Sequence, residues 1–87
     1  MENRANLEEE YKSLNEHRKC LEDMVVEISS RVENLLQKAK EYEEKPKTAQ
    51  SYLVSAEKEQ RRLDALKVSL TLADNELLHI MQLMAVK

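Results

Sequence analysis

The feature that most constrains the fold is a seven-residue apolar repeat that occurs twice, once on either side of the only proline. In each half of the chain, mainly apolar side chains recur at alternating intervals of three and four residues. This spacing keeps one face of an α-helix turned toward a partner helix along its whole length, as in a coiled coil. The first stripe comprises Leu7, Tyr11, Leu14, Arg18, Leu21, Val25, Ile28, Val32, Leu35, Ala39 and Tyr42. The second stripe comprises Ala49, Tyr52, Ala56, Glu59, Leu63, Leu66, Leu70, Ala73, Leu77, Ile80 and Met84.

The composition is typical of long helices with one solvated side. Charged residues make up 36% of the 87 residues, and Gly, Trp and Phe are absent. A chain of this length forms one domain at most, and two helices alone bury little of their surface, so we expect only marginal stability from this chain alone. Disorder is the competing interpretation of so charged a chain, but a disordered segment has no physical reason to keep a heptad repeat.

The chain is predicted to turn in the segment 43–48, where apolar side chains are absent and Pro46 occurs. Proline lacks a backbone donor, clashes with the preceding helical turn and pushes Lys45 out of the α region. The sequence therefore predicts a single all-α domain, an antiparallel coiled-coil hairpin within a multi-helix bundle. Its expected parts are a first helix at about 4–43, a turn at about 44–48 and a second helix at about 49–86, within a domain spanning 1–87.

An antiparallel register in which opposite residue numbers add to 91 leaves six residues for the connection, a usual length between packed helices. Near the turn, this register places each large side chain on a small one, Tyr42 on Ala49 and Tyr52 on Ala39. The alternative is one continuous rod kinked at Pro46, because the repeat stays in phase through the proline. The cost of an interior proline, about 3 kcal/mol, opposes the rod. The predicted intramolecular seam is Leu14, Leu21, Val25, Ile28, Leu35, Leu63, Leu66 and Leu70.

The amino-terminal segment carries a helix-capping pattern and lacks the pattern of a secretory signal. Asn6, followed by acidic residues at 8–10, is expected to cap the first helix, with Asn3 as the alternative one turn earlier. Residues 1–10 have no apolar run, so no secretory signal is predicted. No stretch approaches the roughly 18 to 20 apolar residues of a membrane span. We therefore expect an intracellular protein, cytoplasmic or nuclear.

Two charged residues interrupt the apolar stripes. Arg18 has Asp74 as a potential ion partner across the seam, and Glu59 has Arg31 and Arg62 on its flanks. Long charged side chains often lie along a seam with their heads in water and help to set the register at some cost in stability. We expect this structural role, and keep a specific contact with a charged partner as the alternative.

No catalytic pattern accompanies the heptads. His17 and His79, the only histidines, fall near the same open end of the predicted hairpin without a nucleophile or an acid pair at helical spacing. Cys20 is the only cysteine and lies beside the first stripe, too few ligands for a zinc site within one chain. The best basic pair, Arg61 and Arg62, is flanked by acidic residues, so no nucleic-acid partner is predicted. We expect no enzymatic activity, no cofactor and no metal.

Apolar residues outside the stripes predict a surface that needs a partner. The segment 77–86 is apolar nearly all round, which is typical of a helix buried among other helices. Burying one Leu or Met side chain contributes about 1.5 to 3 kcal/mol, so this surplus represents several kcal/mol. The remaining off-stripe apolar residues are Val26, Leu36, Leu53, Val54 and Val68. The predicted partner interface is Met24, Leu72, Leu77, Leu78, Ile80, Met81, Leu83, Met84 and Val86.

These observations predict a non-catalytic coiled-coil module for protein–protein interaction. It would be a subunit or segment of a multi-helix scaffold, a tether, or a cytoskeletal or cell-division complex. The surplus is concentrated on the second helix, and this asymmetry favours different helical partners over a homodimer. The alternative is a membrane-surface amphipathic helix acting through residues 77–86. The residues around that segment, Asp74 and Glu76 among them, are not the Lys and Arg that such helices usually present to lipid, so we expect no membrane partner.

Overall fold

The computed structural model describes residues 4–86, which form two long helices. Helix α1 spans Arg4–Glu41 and helix α2 spans Pro46–Ala85. The helices pack against each other along their length, so the Cα atoms occupy only 66 × 14 × 14 Å. A continuous helix over the same residues would be about 120 Å long at 1.5 Å per residue. The predicted antiparallel hairpin is confirmed, and the continuous rod is not adopted.

The seam between the helices is built from the two heptad stripes. Every stripe residue is buried or half-buried except Tyr42 beside the turn. Ile28, Val32 and Leu63 form the central buried cluster, against which Val25 and Leu66 pack. Because residues such as Ile28 and Leu63 have numbers that add to 91, the cluster lies in the predicted register. The other buried residues are Leu7, Leu21, Ala39, Ala56, Ala73, Leu77 and Ile80, and Leu14, Leu35 and Leu70 are half-buried.

The connection is shorter than expected and comprises residues 42–45. Helix α2 begins at Pro46, three residues before the predicted start, because proline suits the first helical position: its φ is already helical and its missing donor would have no intrahelical acceptor. Lys45, with φ −117° and ψ 84°, lies outside the α region as expected of a residue before proline. The Lys45 amide closes the turn by donating to the Tyr42 carbonyl at 2.8 Å.

The first helix begins at Arg4, so the predicted cap at Asn6 is wrong. Asn6 lies inside the first turn, where Arg4 and Glu8 form an ion pair at 3.5 Å. Nothing in the sequence at 4 and 5 opposes helix, since arginine and alanine are both strong helix formers, and the helix extends over them. The alternative cap, Asn3, lies outside the described residues.

Side-chain packing beside the turn also differs from the large-on-small pairing predicted there. The rings of Tyr42 and Tyr52 stack on each other, with centroids 5.7 Å apart and planes 24° from parallel. Aromatic side chains reach diagonal neighbours across a seam, and offset stacking is favourable between them. The two tyrosines therefore cover the seam end together, with Ala39 buried nearby in the stripe.

Candidate interaction surface

The hairpin leaves large apolar side chains exposed, and all except Tyr42 lie off the seam. Isolated exposed apolar residues are ordinary, but a concentration of them indicates a surface that binds something. Here the concentration lies near the open end of the hairpin, in the last turns of α2. The exposed residues there are Leu72, Leu78, Met81, Leu83 and Val86; elsewhere they are Met24, Val26, Leu36, Leu53, Val54 and Val68.

Two residues of the predicted partner interface face α1 instead. Leu77 and Ile80 are only 7% and 9% exposed, because the seam continues to the open end and consumes them. They therefore offer a docked partner little surface, and the predicted interface is corrected at these positions. Met84 is half-buried, while Met24 and the off-stripe residues of α2 remain accessible.

Most of the accessible apolar residues fall on two flanks, one on each side of the seam, whereas Val54 and Val68 lie on the outer face of α2. We name the first the Met24 flank; its heptad-spaced rows are Glu10, His17, Met24 and Arg31 on α1 with Arg62, Ser69, Glu76 and Leu83 on α2, and Cys20, Ala65 and Leu72 lie beside these rows. We name the second the Met81 flank; it carries Glu22 and Leu36 on α1 with Leu53, Asp74, Leu78 and Met81 on α2. Residues seven apart project from one face of a helix that supercoils around a partner, so each row runs straight along the hairpin.

The Met24 flank contains a groove of about 510 Å³ halfway along the hairpin. Its apolar lining includes Met24, Ile28 and Leu66, and Arg31 and Arg62 stand at its rim. Toward the open end, two neighbouring depressions share Glu10, Glu76 and Ile80. His17 lines one of these depressions, and His79 and Leu72 line the other, which brings the two histidines near the same end as expected.

The Met81 flank carries a second groove, of about 410 Å³, nearer the turn. Val32, Leu36, Leu53 and Ala56 supply its apolar lining. Farther along the flank toward the open end, Leu78 and Met81 are 55% and 49% exposed. Each flank therefore combines an apolar depression with exposed apolar side chains, a surface suited to another helix rather than to a small ligand.

Arg18 joins the two helices on the Met81 flank. Its Nε donates to Asp74 Oδ1 across the seam, which confirms Asp74 as its partner, and its Nη1 donates to Glu22 Oε1 at 2.8 Å on its own helix. The pKa of Arg18 is raised above its ordinary value, mainly because the guanidinium donates the hydrogen bond to Asp74. This arginine therefore has its partners within the hairpin, as the structural role predicts.

Glu59 has a less complete set of partners. Its Oε1 lies 3.7 Å from Arg62 Nη1, whereas Arg31 pairs with Glu27 at 2.6 Å. Its Oε2 is buried and has no hydrogen-bond partner among residues 4–86, and the side chain is only 20% exposed. A buried carboxylate oxygen without a donor costs free energy, so Glu59 weakens the hairpin at this layer.

Other chemistry is sparse on both flanks. Cys20 is exposed and free beside the Met24 flank. Over the described part of the chain, no group of three or more His, Cys, Asp or Glu side chains is placed to hold a metal ion. Within the same residues, neither helix combines the length and apolarity needed to cross a membrane.

Comparisons with known proteins add no relative, since no family model, curated protein or solved structure matches this chain significantly. The surface must therefore be interpreted from its own geometry. Sequence reasoning identified the exposed apolar residues but not their division between two flanks. Reading the heptad positions beside each stripe could have found it, because those positions alone decide on which side of the seam a residue lies.

Proposed function

We propose that this chain is a non-catalytic helical interaction module, a hairpin that docks helices of other polypeptides onto its flanks. Such a module serves as a subunit or segment of a larger multi-helix assembly, such as a scaffold, a tether, or a cytoskeletal or cell-division complex. The single observation that carries the proposal is the concentration of exposed apolar side chains in the last turns of α2, on a hairpin whose own seam is already filled.

Energetics support this proposal. Leu72, Leu78, Met81 and Leu83 are between 41% and 58% exposed. Covering the exposed half of each side chain contributes about 1 kcal/mol, or about 4 kcal/mol for the four together. That amount approaches the whole net stability of a small domain, about 5 kcal/mol, so a docked helix would stabilise the hairpin substantially.

The distribution of these residues also argues against the membrane-surface alternative. An amphipathic helix lying on lipid needs its apolar side chains on one face and basic residues on the other. Here Leu78 and Met81 lie on one flank and Leu83 on the opposite one, and the polar residues between them include Asn75 and Gln82. Helices packed on both sides account for this arrangement better than a flat lipid surface.

A capture experiment tests the proposal. The tagged full chain and its double variant Leu78→Glu, Met81→Glu are used to purify bound proteins from the source cells, and these are identified by mass spectrometry. The matched control is Val54→Glu, Val68→Glu, which changes two exposed apolar residues of α2 that lie on its outer face and on neither flank. We expect a defined set of helical proteins to be retained by the wild type and the control and lost with the first variant.

Circular dichroism of the three proteins must show equal helicity, so that loss of partners reflects the surface and not unfolding. Equal capture by all three proteins would contradict the proposal. Loss with the control alone would move the docking surface to the outer face of α2.

A further inference from the structure

The Met24 flank carries charges of opposite sign in its two halves. Glu10 and Glu76 lie toward the open end, and neither forms an ion pair with another described residue. Arg31 and Arg62 lie toward the turn and pair only with glutamates of their own helices among the residues described. Between the charged halves lie Met24 and a row of small or apolar side chains. The flank thus has an acidic zone, a zone without carboxylates or guanidinium groups, and a zone with two arginines, where Glu27 lines the same groove and pairs with Arg31.

We propose that the Met24 flank docks a second copy of this chain in antiparallel orientation. The inference rests on the proposed function, because it uses part of the same exposed apolar surface, and it names one occupant of one flank. The two copies face each other across a two-fold axis. This axis lies in the plane of the interface, runs perpendicular to the helices and passes near Cys20 and Ser69. This rotation lays α1 against α1 and α2 against α2, each pair antiparallel.

Charge complementarity follows from this rotation in both helix pairs. Glu10 meets Arg31 of the second copy, and Glu76 meets Arg62 of the second copy. Between these pairs, Met24 meets His17 of the other copy and Ser69 meets its own counterpart, so the centre contains no carboxylate or guanidinium group. Because the operation is two-fold, each pair occurs twice, which gives four Glu–Arg pairs around the centre formed by Met24, His17 and Ser69.

Each helix independently defines where the two-fold axis lies along the hairpin, and the two positions agree. On α1 the axis lies midway between residues 10 and 31, and on α2 it lies midway between residues 62 and 76. In the register of the hairpin, these two midpoints differ by about 2 Å at 1.5 Å per residue. Glutamate and arginine side chains easily span such an offset, so one rigid rotation satisfies both helices.

The parallel arrangement of two copies is disfavoured by the same charges. A two-fold axis along the hairpin would lay α1 on α2 of the second copy. Arg31 would then meet Arg62, and Glu10 would approach Glu76, in each case across the interface. Like charges placed opposite each other cost free energy and exclude a pairing mode, so the charge pattern selects the antiparallel dimer.

The size of the contact suits a dimer of moderate affinity. In the proposed register the copies overlap over residues 4–37 of α1, a length of about 50 Å. Over the 14 Å width of the hairpin, this overlap covers about 700 Å² on each copy, close to the roughly 800 Å² of a standard interface. The Met81 flank stays uncovered, so the dimer still presents Leu78 and Met81 to a different partner.

Charge reversal tests the dimer. Sedimentation equilibrium is measured on the full chain, on Arg31→Glu, on Glu10→Arg and on the double variant with both changes. We expect the wild type to dimerise, each single reversal to weaken the dimer about tenfold or more, and the double variant to regain most of the wild-type affinity. The matched control is Arg61→Glu, which loses a similar ion pair with the glutamate four residues earlier, at 3.0 Å, but lies outside the Met24 flank. Its dimer affinity should equal that of the wild type.

Three results would overturn the dimer: a wild type that stays monomeric at high micromolar concentration, a double variant that does not recover, or a dimer strengthened by Arg31→Glu, as the parallel arrangement requires. The proposed function fails separately. A monomer that still loses helical partners with Leu78→Glu, Met81→Glu overturns only the dimer. If the chain forms the charge-dependent dimer but Leu78→Glu, Met81→Glu captures the same proteins as the wild type, only the docking of other polypeptides is overturned.

Discussion

Replacing Glu59 with leucine should stabilise the hairpin, because this glutamate occupies a seam layer that apolar side chains fill elsewhere. The buried Oε2 has no hydrogen-bond partner among residues 4–86, which costs about 1–3 kcal/mol. Glu59→Leu removes that cost and adds apolar contact with Val32, the residue opposite it in the hairpin register, worth about 1 kcal/mol for a side chain at the seam edge. The lost ion pair with Arg62 is long, at 3.7 Å, and its arginine is 70% exposed, so its loss offsets at most about 1 kcal/mol. The net expectation is about 2 kcal/mol of added stability.

Urea unfolding followed by circular dichroism at several protein concentrations measures this change and separates it from altered association. For a domain of this size, about 2 kcal/mol corresponds to a rise in Tm of roughly 10 °C. Glu57→Leu is the matched control: it has the same helix propensity change and loses a 3.0 Å ion pair, but on the exposed surface. Its effect should stay within about 0.5 kcal/mol. If Glu59→Leu is no more stable than the wild type, or merely equals the control, the argument from the buried oxygen is refuted.

Three further changes probe other parts of the fold. Leu63→Ala, in the central cluster, should lower the free energy of unfolding in urea by about 2–4 kcal/mol. Val68→Ala, at a side chain that is 61% exposed, should lower it by less than about 1 kcal/mol. Equal losses would contradict the assigned seam. A double-mutant cycle between Arg18→Met and Asp74→Asn should give a coupling below about 1 kcal/mol that shrinks with added salt, since both side chains are partly exposed, Arg18 at 30% and Asp74 at 47%. A larger, salt-independent coupling would mean that the pair is desolvated. Pro46→Ala should lower the unfolding free energy by about 0.4–1 kcal/mol by freeing the unfolded chain, and a gain in stability would show that the proline is strained in the turn.

Much of the fold could be predicted from residue spacing. The heptad stripes identify the seam, and Lys45 and Pro46 locate the turn, because both features act through local backbone geometry and side-chain periodicity. The helix ends were less predictable. Pro46 could equally have followed the turn or opened the second helix, and only the folded chain shows that it opens α2. Helix α1 likewise ends at Glu41, two residues before the expected end at about 43, because helix ends vary by one or two residues.

The candidate site was predictable in composition but not in arrangement. Met24, Leu78 and Met81 are exposed as the off-stripe pattern indicates, whereas Leu77 and Ile80 are buried because the seam runs to the open end of the hairpin. The ion-pair partners of the charged residues near the seam were less predictable. Arg31 pairs with Glu27 on its own helix rather than with Glu59, since a neighbour four residues away is always within reach.

By itself, the sequence determined that this chain forms two long helices, which side of each helix faces the other, and where the chain turns between them. Those properties follow from a short-range repeat, because the direction of a side chain in a helix depends only on its position within the helical turn. The tertiary structure alone decided which leftover side chains lie together. Placing α2 beside α1 brings Glu76 next to Glu10 and Arg62 next to Arg31 across the seam, although 66 and 31 positions separate them in the chain. The acidic and arginine-containing zones of the Met24 flank exist only once the antiparallel register has aligned the two helices, because a surface pattern shared by two helices depends on their relative position.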